Sequence, residues 1–165
     1  MNDVPSPLLT IDQVVHLLEG ALGDIGAWGG GVGGALGGGP VGRAGGTSGG
    51  RIGARFGTRH LTKLDGEQRT LQVPRTEQNV RVVRDKFFEG RAQERTGNPA
   101  GGEPGPIEMV GVVGSGTARM NPCVIQLVWF DQQVHVTAHA REGLIKQRTC
   151  SKALRALTES LESAR

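Results

Sequence analysis

Three constellations in this 165-residue chain have residue types and spacings that bear on chemistry: His135 with His139, Cys123 with His135, and the glycine-rich stretch Gly111-Val-Val-Gly114-Ser-Gly116-Thr117. Paired histidines would hold a metal, a cysteine near a histidine would form a nucleophile and its base, and a glycine-rich turn would aim backbone amides at a phosphate. None survives inspection. Four residues of extended strand span about 13 Å, too far for one ion to bridge both imidazoles. Cys123 opens the apolar run Cys123-Val-Ile-Gln-Leu-Val-Trp129, the setting of a buried structural thiol. The glycine stretch lacks the lysine of a phosphate-binding loop, has Arg119 in place of the third fingerprint glycine, and leads into a strand rather than a helix. His16, beside Asp12 and Glu19, reads as a solvated helix residue. The expectation is therefore a non-enzymatic protein with no catalytic residues, no metal and no cofactor.

Charge points to association. Residues 1–42 carry −4, residues 43–95 carry +6 and residues 96–165 carry +1, giving a net +3. Arg43, Arg51, Arg55 and Arg59 form a cationic stripe, and Lys146, Arg148 and Lys152, followed by Arg155, form a second basic cluster. Such patches allow contact with an anionic membrane surface. Nucleic acid is disfavoured, because stacking aromatics are scarce and only Trp129 and Phe130 are near. Two cysteines make neither a disulfide framework nor a zinc quartet, which favours a reducing compartment. The start, Met-Asn-Asp-Val-Pro-Ser-Pro, has no secretory pattern, and no strongly apolar run reaches a bilayer span. A cytoplasmic location, peripheral at a membrane, is expected.

Glycine is the largest compositional anomaly. The chain has 28 glycines, about 17 % against a usual ~7 %, and 18 of them fall between Gly20 and Gly57. Gly26, Gly30, Gly34, Gly38, Gly42, Gly46 and Gly50 keep a spacing of four, with a second register at Gly29, Gly33 and Gly37, then Gly45, Gly49, Gly53 and Gly57. On a helix these form one face of bare backbone, and Trp28, Val32, Leu36, Ile52 and Phe56 form the apolar face across from it. Missing Cβ atoms let helices pack closer than the usual 8 to 10 Å, gaining dispersion and Cα–H···O contacts. Each glycine costs about 0.5–1 kcal/mol of helix propensity, so such a helix forms only when packed.

This spacing resembles glycine-zipper segments, and the resemblance covers residues 26–57. It implies close helix packing and a homo-oligomer. Pro40 interrupts the run, so a hairpin of helices at 11–38 and 43–58 is expected. Its four arginines and Pro40 depart from a membrane-inserted version. A flexible glycine linker is the competing reading.

The remaining elements place these segments. Thr10 and Gln13 form a capping box ahead of a helix whose apolar stripe is Ile11, Val14, Val15, Leu18, Leu22 and Ile25. Asp65-Gly66 predicts a turn between strands at 61–64 and 69–73. Thr76 caps a helix ending near Glu89 with Val80, Val83 and Phe87 inward and Gly90 as its stop. Residues 91–106 read as a mobile loop, strands follow at 107–113, 123–130 and 133–141, and a helix at 151–163 buries Leu154, Leu157 and Leu161. The fold class is α+β: a glycine-rich helical hairpin over 1–58, then a small antiparallel sheet backed by two helices over 59–165. The function expected is self-association through the hairpin, with the α+β domain binding a protein partner of unknown identity. The alternative is a soluble α+β binding or enzymatic domain whose glycine arm tethers it within a larger complex.

Overall fold

A computed structural model of the chain describes residues 8–96, 105–115, 120–143 and 147–163; within the first helix, side chains are described outside 28–43 and 54–61. The elements are α1 (Ile11–Leu61), β1 (Lys63–Leu71), α2 (Glu77–Val82) continued by a π-helical turn (Val83–Phe87), β2 (Gln93–Thr96), β3 (Ile107–Ser115), β4 (Asn121–Trp129), β5 (Val134–Glu142) and α3 (Thr149–Glu162). The fold is α+β. Its sheet has the order β1-β5-β4-β3-β2, and every neighbouring pair is antiparallel.

The expected capping box starts α1: the Thr10 hydroxyl accepts from the Gln13 amide, and the Gln13 side chain accepts from the Thr10 amide. Helical backbone then continues through Pro40 to Leu61, so the hairpin has no irregular linker of the kind the proline suggests. The chain nevertheless doubles back. An Arg51 guanidinium nitrogen lies 3.1 Å from an Asp24 carboxylate oxygen, whereas a straight helix would separate residues 27 apart by about 40 Å. Halfway between those two residues stand Gly37 and Gly38, beside Pro40.

Alternation along the strands divides the sheet into two faces. Cys123, Ile125, Leu127 and Trp129 of β4, with Val134, Val136, Ala138 and Ala140 of β5, form the main core with Val80, Val83, Phe88 and the α3 residues Leu154, Leu157 and Leu161. On the opposite face Val14 and Leu18 of α1 pack against Val124, flanked by Leu17, Leu64 and Val112. Ile11, expected on the buried stripe, is 54 % exposed instead, although Val14 in the same first turn is fully buried.

Two local departures have clear causes. Asp65-Gly66 does not turn; β1 runs straight through it, paired with β5 from Lys63 opposite Glu142 to Leu71 opposite Val134. Nine residues of long-range pairing override the local turn preference, and Gly66 makes room for the opposing His139, whose Cδ2 would lie 3.2 Å from a Cβ there. The helix capped by Thr76 ends at Phe87, and both Glu89 (φ +55°) and the expected stop Gly90 (φ +71°) are left-handed after it; its π-helical turn inserts one extra residue into the buried stripe. Phe88 is therefore the ring buried in the core, with Phe87 half-buried beside it at 5.0 Å between centroids. A short strand, β2, forms within the stretch read as loop; residues 97–104 of that stretch lie outside the described residues.

Candidate functional site

The sheet face bearing His135, Thr137, His139 and Arg141 is covered in part by the N-terminal part of α1. Gln126, at the middle of β4 and 2 % exposed, accepts from the Leu9 amide at 2.8 Å and lies 3.5 Å from His139 Nδ1. A buried amide needs such partners, and this one ties the start of α1 to the sheet. Arg141 and Glu19 approach to 3.9 Å, joining β5 to α1. His135 Nδ1 sits 2.8 Å from the Thr70 hydroxyl, and its ring meets Phe130 edge-on. Burial lowers the His139 pKa, which keeps that imidazole neutral.

The candidate chemistry separates accordingly. Among the described residues no group of three or more His, Cys, Asp or Glu is placed to hold a metal. Cys123 points into the main core and His135 to the other face, so they do not form a nucleophile and base. The Cys123 thiol is pushed up, first by its hydrogen bond with Cys150 and then by burial, and stays protonated. Cys150 in turn donates to the Ala138 and Asp65 carbonyls at 3.6 and 3.7 Å. In the glycine-rich stretch, Gly111 serves packing: a Cβ there would lie 2.5 Å from the Phe88 ring. Residues 116–119, the end of that stretch, lie outside the described residues.

The residues expected from the sequence to associate lie on the hairpin. Gly26, Gly46 and Gly50 are partly exposed, whereas a Cβ added at Gly45, Gly49 or Gly53 would meet nothing within 4 Å. Ile52, on the adjoining face, is 70 % exposed, and Arg51 is engaged with Asp24. The side chains of Trp28, Val32, Leu36, Arg43, Arg55, Phe56 and Arg59, and the surroundings of Gly30, Gly34, Gly38 and Gly42, lie outside the described set. No helix among the described residues is long and apolar enough to cross a membrane.

The second basic cluster divides. Lys146 lies outside the described residues, while Arg148 is exposed at φ +55° ahead of α3. Arg148 has no side-chain capping bond, and Glu142 from the end of β5 takes over: its carboxylate accepts from the amides of Gln147 at 2.5 Å and Thr149 at 2.7 Å. Burial raises the Glu142 pKa, but the bonds from Thr149, Gln147 and Arg148 outweigh it and hold the carboxyl below its ordinary range.

Lys152 faces a cavity of about 670 Å³ between the first arm of α1, the π-helical turn, the end of β3 and α3. A second cavity of about 480 Å³, lined by Leu9, His16, Leu17, Arg91 and Val110 among others, lies further toward the start of α1. Sequence reasoning missed both, because their walls come from elements distant in the chain. No protein-family model, curated protein or solved structure matches this chain.

Proposed function

We propose that this is a non-enzymatic protein that self-associates through its glycine-rich hairpin and presents the α+β domain to a protein partner. The observation that carries the proposal is the open register Gly45, Gly49 and Gly53, spaced four apart on one side of the second arm, where a Cβ meets no atom within 4 Å. Within a single chain, alanine would fit at all three positions and stabilise the helix by about 0.5–1 kcal/mol each. Intrachain packing therefore gives no reason for glycine there. Close approach of a second helix does. The 70 % exposed Ile52 supplies an apolar contact next to that register.

The occupant favoured is the hairpin of a second copy, since bare backbone rewards contact with another backbone and gives lipid tails little side-chain surface. Light scattering on the full chain tests this. The wild type is expected to run as an oligomer, and the Gly45→Leu/Gly49→Leu variant as a folded monomer. A monomeric wild type, or a variant that assembles equally well, would refute it. Binding of anionic vesicles by that monomeric variant would instead favour the arginine stripe as a membrane-surface contact.

A further inference from the structure

We propose that the 670 Å³ cavity between α1 and α3 is a binding site for a single-chain anionic amphiphile, a function separate from self-association through the hairpin. Its volume is within the range of small-molecule sites. Its wall is mixed: Ile25 of α1, Phe87 of the π-helical turn, Val113 of β3 and Ala156 of α3 supply apolar surface beside charged residues. The charges around it do not cancel. Asp24 is engaged by Arg51 and Glu89 by Arg91. Lys86, on the π-helical turn, and Lys152, on α3, line the same cavity with no carboxylate partner among the described residues.

A partly apolar pocket with two lysines outside its carboxylate pairs suits one ligand chemistry. The acyl or aromatic body would displace water from the wall, and a carboxylate, sulfonate or phosphate head would sit between the lysines. Lysine, a compact and strongly hydrated point charge, recognises such heads without demanding the bidentate geometry of arginine. A neutral amphiphile would gain only the apolar part.

The test uses the full chain and two defined probes: dodecanoate below its micelle concentration, measured by calorimetry, and dodecanol as its uncharged counterpart, measured by displacement of the uncharged dye Nile red. Wild type is expected to bind dodecanoate at least tenfold more tightly than dodecanol. Lys86→Glu/Lys152→Glu should abolish that preference while leaving dodecanol binding within about twofold. Ala156→Trp, which fills the pocket from α3, should weaken both ligands at least tenfold with the circular dichroism spectrum unchanged. Equal dodecanoate affinity in the charge-reversed variant, or in Ala156→Trp with its fold intact, would overturn the proposal. So would binding of anionic phospholipid vesicles without binding of monomeric dodecanoate, because the lysines would then act as a surface patch.

Discussion

Replacing Glu142 tests how the last helix is held to the sheet. Helix α3 begins at Thr149 with Arg148 in the left-handed region, so the usual capping side chain is absent and its first amides depend on a carboxylate from β5. Thr149 is 3 % exposed and Glu142 6 %, so water cannot replace the lost acceptor at Thr149, at a cost of about 1–3 kcal/mol. The exposed Gln147 amide rehydrates and contributes less. Loss of a negative charge at a helix N-terminus adds about 0.3–1 kcal/mol, and up to ~2 in partly buried settings. Glu142→Ala should therefore cost about 2–4 kcal/mol, a fall in Tm of about 5–15 °C for a chain of this length. Glu142→Gln keeps an acceptor and should cost about half as much. Since the folded-state pKa is depressed, the stabilisation is fully present above the unfolded carboxyl pKa and is lost as pH falls through the lower folded value. Urea unfolding of wild type and the Glu142→Gln variant from pH 7 down to about pH 3 should show the gap closing toward the acid end. Glu67, also held low by its bond from the Ser151 hydroxyl, titrates in both proteins and drops out of the comparison. A gap that stays constant across that range, or no gap at pH 7, would refute this role for the carboxylate.

Gly111→Ala places a Cβ 2.5 Å from Phe88, a ring 2 % exposed, and should destabilise by about 1–3 kcal/mol in denaturant titration; combining it with Phe88→Ala should give less than the sum of the two single costs. Gln126→Ala leaves the Leu9 amide without its buried acceptor, so exchange protection in the first turns of α1 should fall by roughly ten- to a hundredfold while protection at the centre of β5 falls less, as read by hydrogen exchange.

The parts of the fold legible in the sequence are those set by local spacing. The Thr10–Gln13 capping box, the β4–β5 hairpin around Asp131-Gln132 and the Leu154, Leu157 and Leu161 stripe each follow from residues close in the chain. What local spacing misses has physical causes. The Asp65-Gly66 turn signal gives way to β5 pairing along all of β1. Strand β2 has four exposed polar residues and no apolar alternation, so only its pairing with β3 defines it. The π-helical turn moves burial from Phe87 to Phe88, which 3.6-residue periodicity does not anticipate. The glycine register is visible in sequence; that Gly45, Gly49 and Gly53 face open space is a tertiary fact. The lysines of the larger cavity are 66 positions apart, and packing alone brings them to the same cavity.

Whether the open glycine register is an interface between copies is decided by the sign of one triple substitution. Gly45→Ala/Gly49→Ala/Gly53→Ala should stabilise an unpartnered helix by roughly 1.5–3 kcal/mol through propensity alone. At a close helix–helix contact the same three methyl groups force the backbones apart. Light scattering and thermal unfolding, measured together over a range of concentrations, separate these outcomes. An interface between copies gives the wild type a concentration-dependent Tm and an oligomeric mass, with both lost in the triple variant. An unchanged mass together with a higher Tm in that variant would contradict it.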